Sequence, residues 1–105
     1  MLGTHAIGTR VRLRATFTTD AGLVDPQVLW LTMVCQVSRS GGPREIWRRV
    51  YVYDVDMELE RLSQGLFQLE LLLTVPGKYM IRWESRGTGE ESVVEESLVC
   101  APLRF

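Results

Sequence analysis

An alternating acidic run, formed by Asp54, Asp56, Glu58 and Glu60, is the first group of residues whose spacing suggests chemistry. On an extended strand these carboxylates would share one face, where they could attract Ca²⁺ or Mg²⁺. Successive side chains on one face of a strand lie about 6.5–7 Å apart, which is too far for adjacent carboxylates to converge on one ion without help from a loop. We therefore interpret the run as a solvated acidic strand face and predict no metal site.

His5 is the single histidine and the natural candidate for a general base. It stands in a short N-terminal segment, and no serine or cysteine that could act as a nucleophile lies near it in a suitable sequence context. Catalysis by a histidine base requires a fixed geometry, which a flexible arm does not provide. The sequence also lacks a glycine-rich phosphate loop that leads into a helix. We therefore predict a protein that is not an enzyme and holds no cofactor.

The two cysteines, Cys35 and Cys100, fall on positions that we predict to face inward. A buried free cysteine behaves as a small hydrophobic residue. Thiols stay reduced in a cytoplasm. We predict two reduced thiols, with a disulfide between them as the alternative.

A stripe of aromatic and arginine side chains is the clearest candidate for binding. Trp47, Arg49, Tyr51 and Tyr53 alternate along one predicted strand and so share one of its faces. These residue types are enriched at protein interfaces. They also stack on sugars or single-stranded bases, and Trp47 and Tyr51 could instead pack in the core. We predict a protein interface that joins this stripe to nearby arginines and to a basic strand: Arg10, Arg12, Arg14, Arg44, Trp47, Arg48, Arg49 and Tyr51.

The charges are balanced overall but unevenly distributed. Twelve Lys and Arg residues, eleven of them Arg, stand against thirteen Asp and Glu, for a net charge of -1. A protein that binds nucleic acid usually carries a net positive charge. This chain does not, so its composition does not indicate nucleic-acid binding. Residues 1–52 hold seven Arg against three acids, and residues 53–105 hold five cations against ten acids. If the two halves form different surfaces, copies could meet head to tail; alternatively, a Greek-key fold interleaves the halves.

A two-residue period of apolar side chains predicts an all-β protein. Both faces of the segment from Gln27 to Ser38 are largely apolar, which is typical of a central or covered strand. For the acidic segment we prefer a strand to a short helix. About seven strands with turn signals between them predict an antiparallel β-sandwich. The predicted strands are Thr9–Thr19, Gln27–Ser38, Glu45–Tyr53, Asp54–Leu62, Leu66–Val75, Lys78–Arg86 and a last strand that ends near Cys100.

Turn signals separate the predicted strands. Pro76-Gly77 fits the central pair of a type II turn. Gly87-Thr88-Gly89 predicts a hairpin turn. The inward positions between these turns define the predicted core, which comprises Val11, Leu13, Phe17, Leu31, Met33, Phe67, Leu69, Leu71, Tyr79, Ile81 and Trp83.

The chain shows no internal repeat or linker, so we expect a single domain at residues 7–102 with short arms at residues 1–6 and 103–105. Apolar runs are only a few residues long, which predicts no membrane span. The first residues lack the basic and apolar regions of a signal peptide. We expect synthesis and folding in a cytoplasm.

Three segments resemble the small immunoglobulin-like virion proteins of tailed bacteriophages and prophages. They are Phe17–Val28, Ser63–Phe67 and Pro76–Glu84, the last followed by Gly87-Thr88-Gly89-Glu90. The resemblance extends from about Gly8 to Val99. It implies an immunoglobulin-like β-sandwich with Greek-key connections.

The resemblance also implies a function, that of a non-enzymatic structural protein of the virion, made in the host cytoplasm. We expect it to be oligomeric in the particle and to bind capsid, portal, neck or tail subunits, at the head or at the neck that joins head and tail. No membrane and no specific nucleic acid is expected as a partner. The alternative is a module that binds carbohydrate or a host surface and is displayed on a virion or a bacterium.

Tyr79 and Ile81 show how the chain departs from antibody-type domains. Ile81 stands two residues after Tyr79, where such a domain has its second core cysteine, so the usual disulfide between the sheets cannot form. Tyr79 can still donate the hydrogen bond of a tyrosine corner to the backbone upstream. We expect that bond to stabilise the fold.

Overall fold

The computed structural model describes residues 2–39, 41–86 and 92–102, which contain ten strands and no helix. No segment of this described part is an apolar helix that could span a bilayer. The strands are β1 (Thr4–Ala6), β2 (Arg10–Thr16), β3 (Thr18–Thr19), β4 (Gly22–Leu23), β5 (Val28–Arg39), β6 (Gly42–Val52), β7 (Leu59–Ser63), β8 (Leu66–Leu72), β9 (Gly77–Arg86) and β10 (Ser92–Ala101).

Two sheets pack face to face. The five-stranded sheet has the order β1-β10-β9-β5-β6, the three-stranded sheet has the order β2-β8-β7, and β3 and β4 form a small separate hairpin. All pairs are antiparallel except β1 with β10. The immunoglobulin-like sandwich with Greek-key connections is confirmed. The described residues form ten strands rather than about seven, because β1, β3 and β4 are short strands that the period-two pattern did not separate.

The strand β5 lies between β6 and β9, as its two apolar faces predicted. Its inner face enters the core beside inward residues of both neighbours. Nine of the eleven predicted core residues are buried, whereas Val11 and Leu71 are only half-buried against the core. The largest fully buried side chains are Trp83, Tyr79 and Phe67.

Tyr79 forms the predicted tyrosine corner. Its hydroxyl donates a hydrogen bond to the carbonyl oxygen of Val75 at 2.8 Å. Burial is the main cause that raises the pKa of Tyr79 from 10.0 to about 12. The corner therefore holds a neutral phenol inside the sandwich and ties the start of β9 to the segment before it.

Alkaline pH should reveal this buried phenol. Because the folded pKa lies above the unfolded one, the stabilisation is complete below pH 10 and is lost as the pH rises towards 12. We expect the unfolding free energy to fall by about 2–3 kcal/mol between pH 10 and pH 12 as Tyr79 ionises. Urea unfolding at a series of pH values measures the loss. The Tyr79→Phe variant has no phenol to ionise at this position, so its unfolding free energy should fall less steeply with pH. Equal slopes for the two proteins would contradict the raised pKa of Tyr79.

The strand predicted over Asp54–Leu62 is wrong for its first part and confirmed from Leu59 onward. Residues 53–58 form turns, and β7 begins only at Leu59. The carboxylate of Asp56 stabilises the turn, because it accepts a hydrogen bond from the backbone N–H of Val52 at 2.8 Å. Asp54, Asp56 and Glu58 therefore do not form a strand face, and only Glu60 of the acidic run lies on a strand.

The N-terminal arm at residues 1–6 was also predicted wrongly where the structure describes it. Thr4–Ala6 is the strand β1, which pairs in parallel with β10. The backbone N–H of Leu2 also donates to the carbonyl of Ser97. Residues 103–105 and the turn at Gly87-Thr88-Gly89 lie outside the described residues.

Candidate protein-interaction surfaces

The residues that we predicted as one interface lie on three different parts of the sandwich. Trp47, Arg49 and Tyr51 lie opposite the buried residues of β5 and so face the core side of the five-stranded sheet. Arg48 lies on the opposite face of the same strand. Arg10, Arg12 and Arg14 lie on the outside of the other sheet. The structure therefore divides the predicted site.

The aromatic rings of the stripe pack in the core or against it. Tyr51 is buried, and Trp47 packs edge-to-face on Tyr79 with ring centroids 5.6 Å apart. The guanidinium of Arg49 lies 4.4 Å from the centre of the Tyr51 ring, and its Nη2 lies 3.3 Å from Glu58 Oε1. Trp47 and Tyr51 are thus wrong as surface anchors, since core packing occupies their rings. Arg49 is the one exposed member of this stripe.

The basic row on β2 is exposed as predicted. Arg10, Arg12 and Arg14 all point to solvent from the three-stranded sheet. Arg10 lies 3.9 Å from Glu70, and Arg14 donates to Gln68 Oε1 at 2.8 Å. The role of this row and of exposed Arg44 in binding stays a prediction.

The charge difference between the two halves of the sequence does not form two opposed surfaces. Strand β2 pairs with β8, and β5 pairs with β9, so the topology interleaves basic and acidic segments. Ion pairs join the halves, as between Arg49 and Glu58 and between Asp25 and Arg61. The Greek-key alternative is therefore the correct one.

Cys35 and Cys100 are buried and free. They lie on β5 and β10, which are separated by β9. Two strand spacings place their Cα atoms about 9.5 Å apart or more, whereas a disulfide needs less than about 7 Å. This geometry supports the prediction of two reduced thiols.

His5 is held in place, although sequence reasoning put it in an arm. It lies opposite Cys100 in the parallel register, and its Nε2 lies 2.9 Å from the carbonyl oxygen of Leu2. Burial raises the pKa of the Cys100 thiol, which disfavours the reactive thiolate. Among the described residues, no three histidine, cysteine or acidic side chains gather as a metal site.

The outer face of the five-stranded sheet is the surface that sequence reasoning missed. We use the term outer face for the outward side chains of β5, β6, β9 and β10. Val28 and Val50 are each 46% exposed there, and Val93 is 51% exposed. Trp30, Val34 and Met80 also point outward, from the central strands β5 and β9, and are half-buried. The apolar outward positions of β5 were the available signal, but we interpreted them as typical of a central or covered strand.

A groove runs across the outer face. It has a volume of about 200 Å³ and is lined by Thr32, Val34, Arg48, Met80, Ile81, Arg82 and Glu95. Arg82 Nε lies 3.2 Å from Glu84 Oε1, and Arg48 Nε lies 2.7 Å from Glu45 Oε1. The guanidinium of Arg86 lies 5.3 Å from the centre of the Trp30 ring. The outer face therefore combines apolar side chains with guanidinium groups whose positions are fixed by acidic or aromatic neighbours.

Comparisons with known proteins are sparse. No protein-family model matches this chain, and no curated protein matches it. Among solved structures it is similar to one described as Tim-1, with a TM-score of 0.40 and 19% sequence identity over 97% of this chain and 92% of that chain. The fold is that of an immunoglobulin-like β-sandwich, and its strand order and register are the basis for that assignment.

Proposed function

We propose that this chain is a structural subunit of a tailed-phage virion that binds a neighbouring protein subunit through its outer face. The observation that carries the proposal is the set of outward apolar side chains on that face: Trp30, Val34 and Met80 are half-buried on the central strands β5 and β9, and Val28, Val50 and Val93 are half-exposed towards its margins. Protein interfaces combine apolar contacts with polar groups and are enriched in Trp, Met and Arg. The outer face offers both.

The charges of the outer face favour a protein partner over a nucleic acid. Arg82 lies within 4 Å of both Glu84 and Glu95, and Arg48 is paired with Glu45. Arginines that are already neutralised release few counterions on a phosphate backbone, so they add little affinity for it. The same arginines, fixed in geometry, can donate hydrogen bonds to carbonyl groups of a partner. The virion location rests on the sequence resemblance.

Placing a charge at Val50 tests the proposal. Val50→Asp would bury an unpaired carboxylate in the contact and weaken it by about 2 kcal/mol or more. Its effect on the isolated domain should be less than about 1 kcal/mol, because Val50 is half-exposed on an edge strand. We expect Val50→Asp to be strongly depleted, relative to wild type, in particles produced by the strain that encodes the chain, as measured by mass spectrometry of purified virions.

Leu72→Asp is the matched control. Leu72 is 44% exposed, much like Val50, but lies on the outside of the three-stranded sheet. It should enter particles as wild type does. Wild-type protein missing from the particles, or equal incorporation of Val50→Asp, would refute the proposal.

A further inference from the structure

The loop between β6 and β7, residues 53–58, carries the most exposed large apolar side chains of the described residues. Met57 is 92% exposed, and Val55 is 75% exposed. Exposed apolar residues are common one at a time. Two of them on one short loop form an apolar knob, which we define as Val55 and Met57.

The backbone beneath the knob is fixed. Tyr53 N–H donates to the carbonyl of Leu29 at 2.9 Å, and Asp56 N–H donates to the carbonyl of Val52 at 2.9 Å. The Asp56 carboxylate accepts the Val52 N–H. Asp54 takes a positive φ of 70°. The knob is therefore presented in one conformation, which lowers the entropy lost when it binds.

An apolar pocket lies at the other end of the five-stranded sheet. It has a volume of about 470 Å³ and forms where β5 and β10 end and β9 begins. We call it the end pocket. Its lining is mostly apolar and consists of Gln36, Val37, Pro76, Gly77, Lys78, Val99, Cys100, Ala101 and Pro102.

The knob and the end pocket face opposite ends of one sheet. The knob's loop bonds to Leu29 near the start of β5, and Val37 lines the end pocket near its other end. Eight residues of strand correspond to about 26 Å. One copy therefore cannot fill its own pocket with its own knob, but a second copy can.

The charges around the two features are complementary. Asp54 stands beside Val55 of the knob, whereas Lys78 lines the end pocket. Within the described part of the chain, Lys78 makes no ion pair. A docked knob would bring Asp54 within reach of Lys78.

We propose that the chain self-associates head to tail, with the knob of one copy seated in the end pocket of the next. This inference rests on the proposed function and names a second copy of the chain as one neighbouring subunit. The contact joins two different surfaces, so repeated copies form a ring or a filament.

Two variants separate the halves of the contact. Met57→Asp disables the knob. Lys78→Glu/Pro102→Asp disables the end pocket through two exposed residues. We expect sedimentation velocity to show wild-type association that grows with concentration, and each variant to weaken it about tenfold or more. Val50→Asp should associate as wild type does, which distinguishes this contact from the outer face.

Mixing the two disabled variants is the decisive step. Each retains the half that the other lacks, so the mixture should form a 1:1 dimer of twice the 12.0 kDa chain mass and nothing larger. A wild-type chain that stays monomeric up to about 1 mM would overturn the inference. So would Met57→Asp that associates normally, or a mixture without dimer. Self-association of a protein that is missing from virions would refute the proposed function alone.

Discussion

Replacing Trp83 with Ala is expected to destabilise the domain by about 3–5 kcal/mol. Trp83 is fully buried, with Leu31 on β5 and Val94 on β10 as its register partners. Removing the indole would leave a cavity between the sheets that the rigid strands cannot close. Urea unfolding of the purified domain measures the loss, and an unchanged transition midpoint would contradict the core position.

Trp83→Phe is the informative companion. The indole Nε1 of Trp83 is buried and has no hydrogen-bond partner among the described residues. Phenylalanine removes that unsatisfied donor, which offsets part of the lost packing. We therefore expect Trp83→Phe to cost clearly less than Trp83→Ala. Equal losses would show that cavity volume does not determine the effect.

Replacing Gly77 with Ala is expected to cost about 2–5 kcal/mol. Gly77 has a φ of 149°, and a Cβ placed on it would lie 2.6 Å from the carbonyl oxygen of Gln36 and 3.0 Å from Cys35 Sγ. The backbone of β5 would have to move away from β9.

The prediction of a type II turn at Pro76-Gly77 was wrong, because Gly77 is the first residue of β9. A glycine is required at this position because β5 approaches it closely.

Gly8→Ala is the matched control for this steric effect. Gly8 also has a positive φ, of 88°, but nothing lies within 4 Å of an added Cβ. Alanine there meets only backbone strain, at about 1 kcal/mol. Thermal unfolding of both variants should separate the cost of backbone strain, which both share, from the cost of the steric clash, which only Gly77→Ala has. Similar losses at the two positions would show that the contact with Gln36 does not matter.

The fold was predictable because its signals are local. The alternation of Tyr79, Ile81 and Trp83 identified a strand and its buried face without knowledge of its neighbours. The segment at Asp54–Leu62 also alternates, but there the pattern misled. The Asp56 carboxylate caps the backbone at Val52, and that local hydrogen bond competes with a strand in a way that periodicity does not show.

The interaction surface was less predictable because it depends on which sheets face each other. Trp47 and Tyr51 have the composition of interface anchors, yet they lie opposite buried residues of β5. Val50, between them in the sequence, is an exposed apolar residue on the opposite face of the strand. Neighbouring residues of a strand point to opposite faces of the sheet. Which of these faces is buried depends on where the second sheet packs, and the sequence of one strand does not show that.

The structure of the virion tests most directly whether a neighbouring subunit covers the outer face. An electron cryomicroscopy reconstruction of the particle would show what contacts the outer face. We predict density for this domain with a neighbouring protein subunit packed over Val28, Val50 and Met80. A particle that lacks the domain, or one in which that face is open to solvent, would contradict the proposed role of the outer face.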